Sequence, residues 1–448
     1  MILDALFGDP EADALISDAS LIAAMLRVEL ALAKAEASLG IIPDGAIAAI
    51  EQSADVAAYD LAVLAAEAVN AGNLAIPLVH QLTARVASID AESARYVHWG
   101  ATSQDIIDSA MVLQLREATT IVLRSLESAS EAAASLAERH GKTIMPGRTW
   151  LQHATPITFG LKAAGWMGAL DRVRAGLANA LARALVLQFG GASGTLAALG
   201  DRGPDVAAAM ARALGLAVPE LPWHTHRDRF VALACALGVA TGAMGKIARD
   251  IALLAQTEVA EAFEGDAAGR GGSSTMPQKR NPVSASVVLA AAVRAPAFVA
   301  TMLSAMPQEH ERGLGGWQAE WETLPALVHL TAGAARHVAE MLAGLEVDAA
   351  RMRANTHMNG GVSLGESVSM ALAEHVGKVE AHRTIGAASR RAIGEQRTLA
   401  DVLAGMPEVT RFLTPGRINE CLTADRYLGA SAQLVRTALA RHARDKPE

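Results

Sequence analysis

Between Gly265 and Pro282 the chain reads Gly-Asp-Ala-Ala-Gly-Arg-Gly-Gly-Ser-Ser-Thr-Met-Pro-Gln-Lys-Arg-Asn-Pro. Glycine is costly inside a helix, and Pro277 and Pro282 remove backbone donors, so this run predicts a mobile loop between helices. Its side chains are chemical: the hydroxyls of Ser273 and Ser274, the cations Lys279 and Arg280, and the amide of Asn281. Gly271 and Gly272 leave backbone N–H groups free to face an anion, and Lys279 adds a point charge. A flexible surface linker rarely combines Met-Pro, lysine and Asn-Pro between long apolar helices.

Other stretches offer complementary groups. In His98-Trp99-Gly100-Ala101-Thr102-Ser103-Gln104-Asp105, Thr102 and Ser103 bring hydroxyls to a predicted helix start. Unpaired N–H groups and the positive end of the helix dipole favour a carboxylate there. An ordinary cap by Ser103 or Asp105 fits the same pattern. Gly147-Arg148-Thr149-Trp150-Leu151-Gln152-His153 places an arginine, an amide and an imidazole close together, and Gln308 to Trp321 sets a charge run against glycines and two tryptophans. Arg312 in that run is suited to a bidentate clamp on a carboxylate. His224 and His226 in Trp223-His224-Thr225-His226-Arg227-Asp228 are poorly spaced for zinc, and a helix start is the better reading.

The run from Gly272 to Pro282 resembles the signature of the fumarase/aspartase superfamily. The resemblance implies a loop that closes over a carboxylate substrate. It makes Ser273 the acid/base candidate and puts Ser274, Lys279 and Asn281 at substrate-binding positions. The blocks at His98–Asp105 and Gly147–Pro156 resemble further superfamily blocks, which implies active-site roles for His98, Thr102, Ser103, Arg148, Gln152 and His153. Asn73, in Gly72-Asn73-Leu74-Ala75-Ile76-Pro77, resembles a substrate-contact segment.

One departure is informative. Related lyases place a histidine directly after the threonine of the second block and pair it with a glutamate. Here those positions carry Trp150 and Ser286. Losing both members argues against a fumarate-releasing lyase that depends on this pair. The whole set of motifs resembles the cycloisomerase branch of the superfamily, which closes a lactone within a tricarboxylate by adding one of its own carboxylates to a double bond. A sulfonate-bearing analogue as substrate, a lyase of the adenylosuccinate or argininosuccinate type, and an inactive homologue are the alternatives.

Composition agrees with a helical enzyme. The 448 residues are 51% hydrophobic and only 4% aromatic, rich in alanine and leucine, which favours close-packed helices over sheets. A net charge of −8 argues against a nucleic-acid partner. Cys235 and Cys421 are too few for a disulfide framework or a four-cysteine zinc site, and they suit a reducing, cytoplasmic compartment. No metal or organic cofactor is expected. Met1 to Pro10 lacks the basic start of a signal peptide. Residues 283–306 are apolar enough to raise a membrane span, but Arg294 at mid-length favours a buried bundle helix.

These motifs must be held by long helices. Ser17 predicts a cap for a helix stopped by Gly40 and Pro43. A long helix follows from about 105 to 140, then helical runs at about 156–187, 204–216, 226–263, 283–306 and 318–345. Shorter ones are expected at 364–376, 378–393, 397–404, 416–420 and 429–443. Period-2 strand patterns are almost absent. The expected architecture is all-α, and the resemblance implies an N-terminal domain over 1–104, a central long-helix bundle over 105–350 and a C-terminal domain over 351–448. Helices apolar round most of their surface call for association with further copies, and the resemblance implies a homotetramer with shared active sites.

Overall fold

The structure, a computed structural model, describes residues 4–265, 271–272, 275–276 and 279–444. It is helical almost throughout. The chain divides into two compact units, one made of residues 1–126, 173–245 and 287–336, the other of 127–172, 246–286 and 337–448. Both units draw on residues of the long helices, so neither is one continuous stretch of sequence.

In the first unit, helix α1 (Asp18–Ser38) starts where Ser17 caps it, the Oγ accepting from the Ser20 N–H at 3.3 Å. It buries Ile22, Met25, Leu26 and Leu32, and it packs on the helix Gly203–Leu214. Helix α2 (Ala75–Ile89) buries Leu78, Leu82 and Val86, one per turn. Each such side chain contributes about 1.5–3 kcal/mol when fully buried. Helix α3 (Ser103–Arg139) runs until the break at Gly141. Next in sequence come α4 (Gly203–Leu214), with Val206, Met210 and Leu214 buried, α5 (Asp228–Leu254), α6 (Val283–Ser304) and α7 (Gly316–Ala343).

Expected and observed helices agree closely at these positions, with two differences. Helix α5 stops at Leu254, well short of Phe263. The residues after it turn, with Ala260 at φ +52°, and Ala262–Phe263 instead pair antiparallel with Glu346–Val347.

The second difference is a hairpin in the second unit. Residues 144–158 form two antiparallel strands, β1 (Ile144–Thr149) and β2 (Gln152–Thr158), with Thr149 opposite Gln152. The two residues between them, Trp150 and Leu151, have φ of +53° and +64°. Such a two-residue turn normally takes Asn-Gly, so its composition gave no turn signal. The rest of this unit gathers a core of Val368, Leu372, Ile385, Leu399, Leu403 and Val409 from the C-terminal helices.

Helices α5 and α6 are each long and apolar enough to cross a membrane by length and composition. Arg294 of α6 lies over the Phe7 ring at 5.8 Å, within the first unit.

Candidate active site

In the first unit the chemistry gathers at the start of α3. Asp105 is the third residue of that helix, and its carboxylate reaches back to the Thr102 N–H at 3.1 Å. This is the acidic half of a capping box, so Thr102, rather than Ser103 or Asp105, takes the cap position. The same carboxylate accepts from the N–H groups of Gly190 and Gly191, both at 2.9 Å, from Gln188 Nε2 at 3.2 Å, and lies 2.8 Å from His224 Nε2. Asp105 thereby ties residues 188–191 and His224 to the helix start. His224 is spent on that contact, consistent with a structural role.

One turn on, Asp108 and Glu320 hold the Arg227 guanidinium between them, with contacts from 2.5 to 3.1 Å. All three are buried. Burial opposes the charge on Arg227, but its two carboxylates outweigh that and its pKa is raised. The Trp317 indole N–H donates to Asp108 at 2.9 Å. The charge run at 308–321 is thus split: Glu320 and Trp317 go inward, while Glu309, His310 and Glu311 stay exposed.

Arg312 is half-buried. Its Nη2 donates to the Ala192 carbonyl at 2.9 Å and its Nη1 approaches Gln104 Oε1 at 3.3 Å. Asn73 uses its side-chain oxygen to accept from the N–H groups of Ala75 and Ile76, at 3.0 and 3.2 Å, at the start of α2. His98 sits in left-handed backbone, φ +58°, with Nδ1 2.6 Å from Glu29 Oε1. Burial works against its charge, but Glu29, and more weakly Asp105, win, and the His98 pKa is raised. Gly100 follows with φ +72°, where a Cβ would lie 2.8 Å from the Leu199 side chain.

In the second unit the hairpin carries Arg148, Gln152 and His153. Arg148 makes a two-pronged pair with the buried Glu261, and Asn355 Nδ2 donates to the same carboxylate at 2.7 Å. Gln152 is exposed and His153 half-buried. Burial and then Arg148 lower the His153 pKa, so this imidazole is neutral at neutral pH. Trp150 and Leu151 stand 95% and 78% exposed at the tip.

Ser273 and Ser274 lie outside the described residues. Lys279 is exposed, and the Asn281 N–H donates to the Gly271 carbonyl at 2.9 Å. Glu264 closes the far end of the segment by accepting from the N–H groups of Ser284 and Ala285, at 3.0 and 2.8 Å, at the start of α6. Ser286 is exposed, its hydroxyl donating to the Val283 carbonyl.

Comparison with known proteins decides the family. Residues 5–296 match the family model described as "Lyase", and residues 361–438 match "Adenylosuccinate lyase C-terminus". The chain belongs to the lyase family. It is 51% identical to the 3-carboxy-cis,cis-muconate cycloisomerase of Pseudomonas aeruginosa, over 98% of this chain and 96% of that one. The protein of the same name from Bradyrhizobium diazoefficiens is also 51% identical, over 93% of each chain. The crystal structure of the 3-carboxy-cis,cis-muconate lactonizing enzyme from Pseudomonas putida superposes with a TM-score of 0.94 at 46% identity, covering 99% of both chains. The all-α, fumarase-like architecture expected from the motifs is that of this family.

Lyase-family motifs pointed to His98 and Arg148, but not to the carboxylates that hold them, nor to the buried Asp108–Arg227 pair. Glu29, Glu261, Asp108 and Arg227 carry no local signal. Each is distant in sequence from the residue it meets, and only folding shows the pairing.

Proposed function

We propose that the protein converts 3-carboxy-cis,cis-muconate to 4-carboxymuconolactone, in the protocatechuate branch of the β-ketoadipate pathway. The observation that carries this reading is the near full-length identity to cycloisomerases of that name. The chemistry fits the residues present. One substrate carboxylate adds to the conjugated double bond and closes a lactone. The electron pair moves toward the neighbouring carboxylate as an enediolate, which is then protonated on carbon. The nucleophile belongs to the substrate, so the protein need supply neither a nucleophile nor a metal. Holding the diene in its ring-closing shape contributes an orientation effect. No leaving group needs a proton, in keeping with Trp150 and Ser286 at the positions of the lyase pair.

Thr102, Ser103, Lys279, Asn281, Arg312, Asn73, Gln152 and Ser274 are the proposed substrate contacts. Arg148 is better placed as the anchor of its hairpin, because Glu261 engages both of its prongs. Three groups compete for the proton step: Ser273, His153 and His98. The two imidazoles differ: burial and Arg148 lower the His153 pKa, whereas Glu29 raises that of His98.

The working form is proposed to be a cytoplasmic homotetramer with active sites shared between subunits. Support comes from α6, which has a mean hydropathy of 1.8 in its most apolar window, only 33% of it buried within one chain. Val239 and Val293 are likewise exposed, at 63% and 76%. A family of multimeric bundles covers such faces with further copies.

The test is loss of the muconate ultraviolet absorbance on adding the protein, with carboxymuconate and sulfomuconate compared side by side. Faster loss with carboxymuconate supports the reading. Turnover of sulfomuconate alone, or fumarate release from adenylosuccinate or argininosuccinate, would overturn it.

A further inference from the structure

The first unit contains a histidine–glutamate pair, formed by other residues than the two positions at which related lyases carry theirs. Glu29 belongs to α1, and its side chain is 1% exposed. Its Oε1 lies 2.6 Å from His98 Nδ1. The second oxygen, Oε2, is buried without a hydrogen-bond partner among the described residues, so the imidazole is the one group this carboxylate serves there. His98 is fixed from the main chain as well. Its left-handed backbone is an uncommon state for a residue with a side chain, and it persists only where surroundings enforce it. Four residues on, Asp105 pins the Thr102 N–H.

Resting on the cycloisomerase reading above, we propose that Glu29 is the positioning residue for His98, and that His98 delivers the proton to the substrate carbon from Nε2. The carboxylate on Nδ1 fixes the tautomer. Nδ1 keeps its hydrogen, so the exchangeable proton is the one on Nε2. That nitrogen has no hydrogen-bond partner among the described residues. In the step itself, the substrate carboxylate oxygen forms a C–O bond to one alkene carbon. The alkene electron pair takes up the Nε2 proton at the other carbon, forming C–H. The imidazolium becomes neutral imidazole and regains a proton from water after the lactone leaves. Atoms and charge balance with one proton taken from solvent per molecule.

The charges that bear on His98 are Glu29 of α1 and Asp105 of α3, both favouring its protonated form. Glu36, two turns along α1, is buried with neither oxygen hydrogen-bonded to a described residue. Burial first, and the Glu29 charge second, push its pKa up to about 8. It is therefore a neutral acid at pH 7. The carboxylate in direct contact with the His98 ring is Glu29. Tyr59, whose hydroxyl donates to the Ser53 carbonyl, is likewise neutral. His153 is held neutral, which suits it poorly as the donor.

The decisive variant is Glu29→Gln, which keeps shape and removes charge. We expect kcat for carboxymuconate to fall roughly 100-fold, the scale of a lost acid, with KM nearly unchanged. The alkaline limb of kcat should move down by about one pH unit or more, because the imidazolium loses its partner. In a His98→Gln background the Glu29 change should add nothing further. An unshifted limb, or fully additive losses, would overturn the proposal. Should Glu29→Gln fail to fold, the wild-type protein decides alone. Histidine labelled with 13C in the ring, with the His98 signal assigned by its absence from His98→Gln, should titrate above pH 7. A ring already neutral at pH 7 sinks the idea. Wild-type turnover of carboxymuconate separates this from failure of the reaction itself, since the titration is read without substrate.

Discussion

Arg148 and Glu261 form a two-pronged ion pair, Nη1 lying 2.8 Å from one carboxylate oxygen and Nη2 2.6 Å from the other. Glu261 is fully buried and Arg148 one-fifth exposed. The pair ties the hairpin to the turn that follows α5. Arg148→Ala leaves a buried carboxylate with Asn355 as its remaining side-chain donor. That should cost about 3–5 kcal/mol, the usual penalty for breaking a buried pair from one side. Urea unfolding of Arg148→Ala, set beside the joint change Arg148→Met with Glu261→Leu, checks it. The joint variant should be the more stable of the two. A loss under 1 kcal/mol for Arg148→Ala would return the arginine to the list of substrate contacts.

Glu36 should make stability fall with rising pH. Its carboxyl ionises at about 8 in the folded chain, against an ordinary value of 4.5. Between those values the native state holds a proton that the unfolded chain has lost. Stability therefore declines as pH rises through this window, by at most about 1.4 kcal/mol per unit from this group. Glu36→Gln removes the dependence. Its melting temperature should exceed that of the wild type by a margin that grows from pH 5 to pH 8 and then levels. A margin that is flat with pH would contradict a raised Glu36.

The hairpin tip sets strain against exposure. Left-handed backbone costs roughly 1–2 kcal/mol per ordinary residue, and here it presents a bare tryptophan and leucine. Such a tip is retained when another surface covers it. Trp150→Asn with Leu151→Gly should relieve the strain, yet weaken assembly and activity together. Light scattering on serial dilution should show the variant dissociating at higher concentration than the wild type. A higher melting temperature with unchanged assembly and turnover would show that the tip touches nothing.

Lys279 stands exposed at the end of the signature loop. A charge-assisted hydrogen bond contributes about 1.5–3 kcal/mol, so Lys279→Ala should raise KM roughly 10- to 100-fold. Steady-state kinetics with carboxymuconate reads this directly. An unchanged KM would remove Lys279 from the substrate contacts.

The long elements were legible because their signals are local. Ser17 and Gly40 bracket α1, and the Thr102 block and Gly141 bracket α3. The hairpin was hidden by its Trp150-Leu151 turn, which carries none of the residues that such turns favour. Helix α5 was read too long because Gln256 to Phe263 has ordinary helix composition. Its end is set by tertiary needs, with Ala260 turned to positive φ and Glu261 drawn to Arg148. The site was legible wherever a motif fell within a few residues, as at His98 and Asp105. It was not where function rests on distant pairs. Glu29 is an unremarkable position on an amphipathic helix until folding brings His98 to it, and Arg227 reads as part of a helix start until Asp108 and Glu320 enclose it.

Ring closure without release makes the most direct demand. Carboxymuconate enters as a trianion and leaves as a lactone with two carboxylates, so each turnover takes up one proton and sheds no fragment. A pH-stat run beside the ultraviolet assay measures both. The expected result is one equivalent of acid consumed per molecule of diene lost, with no fumarate in the mixture. Loss of the diene without proton uptake, or no loss at all with the intact assembly, would contradict the cycloisomerase reading.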